Sequence, residues 1–585
     1  MHRLPTCFAL RPAASLLALA SALSACDRGS APPAPPPADA PAAPAQAEDA
    51  PVRVEYLCGN RFIITNAYRY PVTVTYEVQG TEERGERSLR AAPDGDPAFS
   101  EVELSVTNDG PLVLYQGDRL LAVRSNDGSP CEPAVGPSFS VAGSSAAGAW
   151  SDPFDWPIVP LHVHLLRNGK VLTWGKAGAP QLWNPATGSF AAVPSPAWLF
   201  CAGHSYLPDG RLLVAGGHIS DDHGLPDATI FNPVTGTWSR AAPMRFGRWY
   251  PTSTTIGNGQ VVTLAGRDQS GKNVLTPEVW TGSRWRALSG ARLGLPYYPR
   301  TFLAPNGRVF YAGEQATTRY LNPAGSGSWT TVATRKYGSR DYGAAVMYAP
   351  GKIIYVGGGR TTRTAETIDL NQASPTWQWT GSMAYPRRHL NATVLPTGEV
   401  LATGGSRGTS FNEPSLAVRV AEIWDPTSGA WTALASNAVN RTYHSTSLLL
   451  PDGRVLHAGS GDAIQPTGEP APDERNGELF SPPYLFRGVR PAISSAPGSA
   501  TYGGTFFVGT PDSEAVTKVS LIALGSVTHA FDMTQRFSWL SFARASGGLN
   551  VTSPQNRNLA PPGFYLLFIL NGSDVPSVAK IIQLK

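Results

Sequence analysis

Short apolar runs, each preceded by a polar turn, recur along most of this chain. In Arg211–Gly217, for example, four apolar residues follow a turn glycine and lead into a pair of glycines. Short runs rich in Val, Ile and Leu, bounded by Gly and polar residues, predict β-strands rather than helices. Seven such turns can be recognised by their glycines, which are Gly169, Gly210, Gly259, Gly307, Gly351, Gly398 and Gly453.

These turns form a repeat, because consecutive turn glycines lie 41 to 55 residues apart. A second signature, a polar turn ahead of an aromatic residue, lies between them at Asn184–Phe190, Asn232–Trp238 and Asp425–Trp431. A period of about 40 to 50 residues with glycine pairs and a late aromatic is typical of Kelch repeats, the blades of a β-propeller. The repeat therefore predicts a seven-bladed Kelch-type β-propeller over residues 150–475, and a segment near 150–158 can supply the strand that closes the ring.

The flanking segments have different patterns. Residues 51–140 contain short strand-like runs and predict a small N-terminal β-domain, to which we assign no chemistry. After Glu478–Tyr484 the chain changes to alternating strands and turns, which predict an immunoglobulin-like β-sandwich over 476–585. The expected fold class is all-β throughout. Composition agrees, since Gly and Pro are abundant and only 15% of residues are charged. A net charge of +4 without a basic run gives no reason to expect a nucleic-acid partner.

The N-terminus predicts export. Residues 1–25 have the pattern of a secretory signal peptide, and residues 26–50 form an Ala/Pro-rich tether. The sequence Leu23-Ser24-Ala25-Cys26 resembles the lipobox of bacterial lipoproteins, which implies cleavage before Cys26 and lipid on its thiol. We therefore expect a lipid-anchored protein of the cell envelope, on the periplasmic side or the cell surface, that meets the membrane only through its anchor. An ordinary signal peptide with an incidental cysteine is the alternative.

The remaining cysteines fall into two groups. Cys58 and Cys131 bracket the N-terminal β-domain and can form a disulfide in an oxidising compartment. Cys201 is then left over, and an odd cysteine in an exported protein is either a free thiol or part of a cross-link.

Cys201 belongs to one of four short motifs whose residues can carry chemistry. The others contain Tyr250, the adjacent pair Tyr443 and His444, and, in the C-terminal domain, His529. The three propeller motifs lie nine or ten residues before a turn glycine, so each occupies a similar place in its blade. Equivalent places in different blades converge on the propeller axis, where a loop of the last domain can add His529.

This set resembles the copper radical oxidases, the family of galactose oxidase and glyoxal oxidase, over residues 155–585. The resemblance implies that Cys201 and Tyr250 form a thioether-linked radical cofactor, and that one copper ion is bound by Tyr250, Tyr443, His444 and His529. Two imidazoles and two phenolates suit Cu(II). A single copper ion moves one electron, so a tyrosyl radical would supply the second acceptor of a two-electron oxidation.

The resemblance implies a mononuclear copper tyrosyl-radical oxidase that uses O2 as acceptor and releases H2O2. Its expected substrate is a small aldehyde, as the hydrate, or a primary alcohol, including one on a glycan. The wording Arg248-Trp249-Tyr250-Pro251-Thr252 favours the glyoxal oxidases. The alternative is a non-catalytic Kelch propeller that binds glycan or protein at the cell envelope. A copper-storage protein is disfavoured, because the five methionines are not clustered.

Other residues are weaker candidates. His162 and His164 lie two apart on one strand and can point the same way, but we interpret them as structural. His204 and His218 flank the strand after Cys201 and are candidates for substrate orientation. Candidates for the substrate mouth, before the fourth turn glycine, are Tyr297, Tyr298 and Arg300.

One departure from the family concerns the radical. Galactose oxidase stacks a Trp over its cross-linked Tyr, from the loop after the next strand. The corresponding loop here, Ala265–Gln269, has no aromatic residue. This argues against galactose as the natural substrate and leaves the shielding of the radical unexplained.

Overall fold

The computed structural model describes residues 52–124 with gaps at 59, 67, 69, 90–101 and 109–110, then residues 144–461 and 472–585. The signal peptide, the tether, Cys26 and Cys131 lie outside the described residues, so the lipid site and the Cys58–Cys131 disulfide stay predictions. Among the residues described, no helix combines the length and apolar character needed to cross a membrane.

The N-terminal β-domain is built from two antiparallel sheets. In the second sheet, Val72, Val74, Tyr76 and Val78 are buried while the residues between them are exposed, so one face of the strand packs inward. The sheets have the orders β1-β2-β5 and β4-β3-β6-β7. Their strands are β1 (Val52–Cys58), β2 (Arg61–Asn66), β3 (Val72–Val78), β4 (Arg84–Leu89), β5 (Val102–Ser105), β6 (Leu112–Gln116) and β7 (Arg119–Arg124).

Two short strands, β8 (Ala149–Trp150) and β9 (Phe154–Asp155), precede a run of antiparallel sheets that we call blades 1 to 7 in chain order. Blade 1 contains β10 (His162–Leu165), β11 (Val171–Trp174), β12 (Gln181–Trp183) and β13 (Phe190–Ala192). Blade 2 contains β14 (Gly203–Tyr206), β15 (Leu212–Ala215), β18 (Ala228–Asn232) and β19 (Thr237–Arg240), with the hairpin β16 (His218–Ser220) and β17 (His223–Gly224) after its second strand. Blade 3 contains β20 (Thr252–Thr255), β21 (Val261–Leu264), β22 (Glu278–Trp280) and β23 (Trp285–Ala287).

The next three blades repeat this arrangement. Blade 4 contains β24 (Arg300–Leu303), β25 (Val309–Gly313), β26 (Thr317–Asn322) and β27 (Ser328–Thr334). Blade 5 contains β28 (Ala344–Ala349), β29 (Lys352–Val356), β30 (Ala365–Asp369) and β31 (Gln378–Thr380). Blade 6 contains β32 (Asn391–Val394), β33 (Val400–Thr403), β34 (Val420–Trp424) and β35 (Trp431–Ser436), with a 3-10 turn at Pro414–Leu416.

Blade 7 joins the two ends of the propeller. It contains β36 (Ser445–Leu449), β37 (Val455–Gly459) and β38 (Asn476–Ser481), and β8 pairs with β38 as its outer strand. A segment near 150–158 therefore supplies the closing strand, as the sequence predicts. Because β38 hydrogen-bonds to β37, the propeller includes residues 476–481, which the sequence analysis assigned to the C-terminal domain.

The C-terminal domain is a two-sheet sandwich that also reaches into the propeller. Its sheets have the orders β39-β48-β47-β41-β44 and β40-β46-β45. The hairpin of β42 and β43 leaves the sandwich, and β42 pairs with β10 at the inner edge of blade 1. A 3-10 turn at Pro483–Phe486 precedes the domain. Its strands are β39 (Ser499–Ala500), β40 (Thr505–Gly509), β41 (Val516–Ala523), β42 (Ser526–Thr528), β43 (Phe531–Asp532), β44 (Phe537–Leu540), β45 (Phe542–Ala545), β46 (Gly548–Thr552), β47 (Gly563–Asn571) and β48 (Lys580–Leu584). The predicted all-β fold of a Kelch propeller followed by a sandwich is confirmed.

A buried arginine–glutamate pair recurs in four blades and holds the loop that leads into the inner strand. In blade 3, Arg248 donates to Glu278 at 2.9 Å, and the same carboxylate accepts the backbone N–H of Arg245. In blade 7, Arg441 donates to Glu478 at 3.0 Å. Blades 5 and 6 carry the equivalent pairs Arg340–Glu366 and Arg387–Glu422. In each of these blades the residue two positions after the arginine lies two positions before the first residue of the inner strand.

Candidate active site

The residues that gather at this end of the axis have an uncommon backbone conformation. Cys201, Tyr250, His444 and His529 have φ angles of 61°, 63°, 69° and 47°. Left-handed backbone at residues other than glycine is uncommon and marks positions that the surrounding structure holds in place. The first three lie just before the inner strands β14, β20 and β36, and His529 lies in the turn between β42 and β43.

Four of the predicted residues meet in one buried cluster. The Oη atoms of Tyr250 and Tyr443 are 2.7 Å apart, and Nε2 of His529 is 3.0 Å from Oη of Tyr250. The ring centroids of His444 and His529 are 4.6 Å apart. All four side chains are between 2% and 7% exposed. The fold thus brings together residues from blades 3 and 7 and from the C-terminal hairpin.

Hydrogen bonds select the tautomer of both histidines. His444 donates from Nδ1 to the carbonyl of Gly461 at 2.8 Å. Thr528 donates its hydroxyl hydrogen to the carbonyl of Leu161. The same hydroxyl oxygen therefore accepts a hydrogen bond from Nδ1 of His529 at 2.7 Å. Both rings therefore present the lone pair of Nε2 to the cluster. Nε2 of His444 is buried and has no hydrogen-bond partner among the residues that the structure describes.

Burial keeps all four groups uncharged in the absence of a cation. It raises the pKa values of Tyr250 and Tyr443 well above the ordinary range. It lowers the pKa of His444 to about 3 and that of His529 well below its usual value. A bound cation reverses this preference for the phenols, because it stabilises the phenolates.

The donor set fits copper. Two imidazole nitrogens and two phenol oxygens are the ligands that Cu(II) prefers, and the unpaired Nε2 of His444 is a buried acceptor that needs a partner. Within the part of the chain that the structure describes, His, Cys, Asp and Glu side chains nowhere form a group of three that could hold a metal. The cluster around Tyr250 is of another kind, because half of its donors are tyrosines.

Cys201 lies against Tyr250 in the same packed core cluster. Its backbone carbonyl accepts the N–H of Tyr250 at 2.9 Å, and its thiol contributes to the raised pKa of the phenol, after burial. Its own N–H donates to Nε2 of His162 at 3.2 Å. The two residues that the sequence pairs as a cross-link are therefore neighbours.

Trp249 supplies the aromatic ring that the sequence analysis did not find. Its ring lies on the ring of Tyr250 with centroids 3.7 Å apart and planes 11° from parallel. Its Nε1 donates to Nδ1 of His218 at 3.1 Å. The sequence does contain this aromatic residue, since Trp249 directly precedes Tyr250. Stacking between adjacent residues is not expected from the sequence. The left-handed backbone at Tyr250, with φ of 63°, accompanies the stacking of the two rings here.

Three candidates for substrate orientation or the substrate mouth, His204, Tyr298 and Arg300, have protein partners around the cluster. His204 is fully buried, and its two ring nitrogens bond to His162 and Ser526. Tyr298 is buried against Tyr250 and His529 and donates to the carbonyl of Ala202. The guanidinium of Arg300 donates to three backbone carbonyls, which belong to Tyr298, Gly343 and His529. All three side chains are buried, and their roles toward a substrate stay predictions.

The other histidines also have structural partners. His218 is buried, accepts the indole N–H of Trp249 and supports the stacked ring rather than facing solvent. His162 bonds to His204 at 3.2 Å, and His164 bonds to Ser526 at 2.8 Å. These contacts agree with the structural interpretation of His162 and His164.

Three segments of the chain match described protein families or motifs. Residues 490–584 match the family described as "Galactose oxidase-like, Early set domain". Residues 358–484 match "Glyoxal oxidase N-terminus", and residues 208–245 match the Kelch motif.

Relatives that match most of the chain include oxidases. A galactose oxidase of Gibberella zeae is 29% identical over 523 residues, which cover 80% of this chain and 75% of that protein. Aldehyde oxidase GLOX of Vitis pseudoreticulata is 28% identical over 442 residues, which cover 66% of this chain and 82% of that protein. The solved structure of a fungal alcohol oxidase of the AA5 family, in complex with copper, has a TM-score of 0.69 at 25% identity and covers 75% of this chain and 100% of its own. The chain is therefore an oxidase of the copper radical type, related to the galactose oxidases and the glyoxal oxidases.

Proposed function

We propose that this protein oxidises an aldehyde hydrate or a primary alcohol by two electrons and reduces O2 to H2O2 at a mononuclear copper tyrosyl-radical site. The observation that carries the proposal is the convergence of Tyr250, Tyr443 and His529 in one buried cluster, with the unpaired Nε2 of His444 beside them. Copper, when bound there, supplies a one-electron acceptor for the reaction. Tyr250, Tyr443, His444 and His529 are the residues that would hold it.

Cys201 and Tyr250 supply the second electron acceptor in this proposal. A bond forms between the cysteine sulfur and a ring carbon of the tyrosine, and the S–H and C–H bonds break. The two electrons and two protons released pass to O2, which leaves as H2O2. Electron donation from sulfur makes the phenol easier to oxidise. Trp249 covers one face of the ring and keeps water and reductants from it.

The chain's own residues also move the substrate's protons. The Oη atom of Tyr443 is a base for the substrate hydroxyl, since it lies in the cluster at 2.7 Å from Oη of Tyr250. The radical on Tyr250 then takes a hydrogen atom from the substrate carbon. The balanced reactions are RCH2OH + O2 → RCHO + H2O2 and RCH(OH)2 + O2 → RCOOH + H2O2.

Two aromatic side chains, Phe411 and Tyr342, form a wall beside Tyr443 that favours a small substrate able to pack against aromatic rings. Phe411 is 44% exposed, and its ring centroid lies 4.8 Å from that of Tyr443. Tyr342 is partly exposed, with its centroid 5.6 Å from Tyr443. The motif Arg248–Thr252 resembles the glyoxal oxidases, and together with this wall it favours an aldehyde hydrate over galactose as the substrate.

The test is peroxide release by the copper-loaded protein on a panel of aldehydes, primary alcohols and galactose, with intact mass measured in parallel. Wild type should release peroxide and, after reduction of disulfides, weigh about 2 Da less than its unmodified polypeptide, because the thioether removes two hydrogens and is not reduced. Cys201→Ser should lose both the activity and the mass deficit. Tyr443→Phe should keep the mass deficit and lose at least about 100-fold in kcat.

Tyr385→Phe is a matched control, because Tyr385 is an exposed tyrosine of blade 6. It should behave as wild type. Full mass and no peroxide from wild type across the panel would instead indicate a propeller that binds glycan or protein without turnover.

We also propose that the protein is exported and anchored to the envelope through lipid on Cys26, which the sequence Leu23–Cys26 supports. Cys26→Ser should move the protein from the membrane fraction to the soluble fraction. Retention of Cys26→Ser in the membrane fraction would contradict the anchor.

A further inference from the structure

A cavity of about 40 Å³ lies between the inner strands of blades 2 to 4 and the C-terminal domain. It is separate from the tyrosine and histidine cluster, and none of the proposed copper ligands lines it. The polar groups that line it include Ser205, Thr254, Thr301, Gln535 and Arg536, and no carboxylate lines it. A cavity of this size has room for about three water-sized groups.

Arg536 differs from the buried arginines of the recurring arginine–glutamate pairs. It is 6% exposed, and among the described residues its guanidinium has a single hydrogen bond, to the carbonyl of Leu559 at 3.5 Å. Over the described residues no carboxylate forms an ion pair with it. Arg248 and Arg441, by contrast, each have a glutamate partner. Arginine stays protonated in proteins, so Arg536 is a buried charge without a counter-charge.

The titratable groups near Arg536 do not neutralise it. Burial lowers its pKa, and the groups that oppose this effect are the phenols of Tyr565 and Tyr502. Burial raises the pKa of Tyr565 far above neutrality and that of Tyr502 to about 12. Both phenols are therefore uncharged at pH 7.

The cavity wall offers further hydrogen-bond donors. The hydroxyls of Thr254 and Thr301 are 2.7 Å apart, so one of their two hydrogens is not used between them. Gln535 accepts the N–H of Val394 with Oε1, which leaves its amide NH2 group as a donor. A cation, an amide NH2 and a hydroxyl around one small cavity form an environment that suits an anion.

We propose that this cavity binds a small inorganic anion beside Arg536. The anion would neutralise the buried guanidinium and accept the remaining hydrogen bonds of the wall. It would also connect the two domains, because Thr254 and Thr301 belong to propeller strands while Gln535 and Arg536 follow the hairpin that carries His529. The proposal does not depend on the copper chemistry, since Arg536 is not among the residues of that cluster.

Thermal unfolding tests the proposal with chloride, bromide or sulfate added at constant ionic strength against gluconate, which is too large for the cavity. Wild type should gain about 2 °C or more in Tm as the small anion rises from about ten times below to ten times above its Kd. Arg536→Gln should show no such gain. In gluconate alone its Tm should equal or exceed that of wild type, because an unpaired buried charge is removed.

Arg544→Gln is the matched control, because Arg544 is an exposed arginine of the same domain. It should keep the wild-type gain. Equal gains in wild type and Arg536→Gln would overturn the proposal, since they would reflect a general salt effect.

A second measurement needs no variant and covers the case in which Arg536→Gln does not fold. Anomalous diffraction from wild-type crystals soaked in bromide should show a peak within hydrogen-bond distance of the Arg536 guanidinium. Ordered water at that position at high bromide, with no anomalous signal, would refute the site.

Discussion

At the scale of single residues, the stacked pair Trp249 and Tyr250 is the contact on which the proposed radical depends most. Stacked aromatic rings stabilise each other by about 0.5–1.5 kcal/mol beyond their buried area, which corresponds to roughly ten-fold in an equilibrium or a rate. The indole N–H is itself held by His218 at 3.1 Å. Trp249 is therefore fixed from both sides.

We predict that Trp249→Phe shortens the lifetime of the oxidised protein by roughly ten-fold, because the smaller ring covers less of Tyr250 and loses the bond to His218. The measurement is the decay of the radical signal in electron paramagnetic resonance after mild oxidation. Trp285→Phe is the control, since Trp285 lies in the same blade and donates to Ala242. A lifetime unchanged by Trp249→Phe would show that another group shields the radical.

Glu314 is the residue that links stability to pH near neutrality. Burial raises its pKa from 4.5 to about 7, while Arg300 acts in the opposite direction. The folded protein thus keeps this proton up to about pH 7, whereas the unfolded chain releases it near pH 4.5. The stability that it contributes is present at low pH and is lost as the pH rises through that window.

We predict that wild type loses on the order of 3 kcal/mol of unfolding free energy from this group between about pH 4.5 and pH 7.5. Glu314→Gln should remove that loss, and Glu514→Gln, at an exposed position, should not. Urea unfolding at the two pH values measures the difference. Identical pH dependence in wild type and Glu314→Gln would contradict the prediction.

At the scale of elements, the recurring arginine–glutamate pairs position the loops that carry the site. Arg248 and Arg441 each lie two residues before a site tyrosine, and each bonds both a glutamate on the third strand and a carbonyl at the end of the second. These hydrogen bonds within a blade hold the backbone where the left-handed turn begins. The arginine–glutamate pairs therefore position Tyr250 and Tyr443 without belonging to the cluster themselves.

Blade 6 allows this pairing to be tested in a blade that carries none of the proposed ligands. Arg387→Met should cost about 3–5 kcal/mol in unfolding free energy, because it leaves the Glu422 carboxylate buried and unpaired. Adding Glu422→Leu should recover part of this cost, but not all, since Glu422 also accepts the N–H of Ala384. Urea unfolding measures the unfolding free energy of both variants. The control is Arg211→Ala, which removes the exposed Arg211–Asp209 pair and should cost less than about 1 kcal/mol. A cost below 1 kcal/mol for Arg387→Met would show that the pair is not structural.

At the scale of the whole molecule, the propeller and the C-terminal domain are joined through their interiors. Strand β42 extends the sheet of blade 1, and Met533 packs in the same core cluster as Cys201 and Tyr250. Strand β8 closes blade 7 from the other end of the sequence. Separation of the two domains would expose this shared core.

We therefore predict that the propeller and the C-terminal domain unfold together. Calorimetry of the copper-free protein should give one transition for residues 144–585, and near-ultraviolet circular dichroism should follow the same curve. Val527→Asp in β42 should lower the Tm of that single transition, because Val527 is buried against the propeller. Two resolved transitions in wild type would contradict this expectation.

Several of these features were readable in the sequence because they depend on local order. Turn glycines, short apolar runs and late aromatics recur with each blade, and a repeat fold stacks whatever unit repeats. Equivalent phase within that repeat was enough to predict that Cys201, Tyr250, Tyr443 and His444 approach one axis. The boundary at 475 was misplaced because β38 differs from a sandwich strand only in its partner.

The order of residues thus determines the architecture through its periodicity, whereas the identity of the proposed ligands rests on the resemblance of four short motifs to the copper radical oxidases. Contacts between distant or unusually oriented side chains required the folded molecule. Trp249 stacks on its own neighbour through a left-handed turn, His204 and Arg300 are enclosed rather than exposed, and Arg536 faces a cavity formed by two domains. Periodicity specifies which residues lie on one face, whereas burial, tautomer and counter-charge depend on every atom that packs around them.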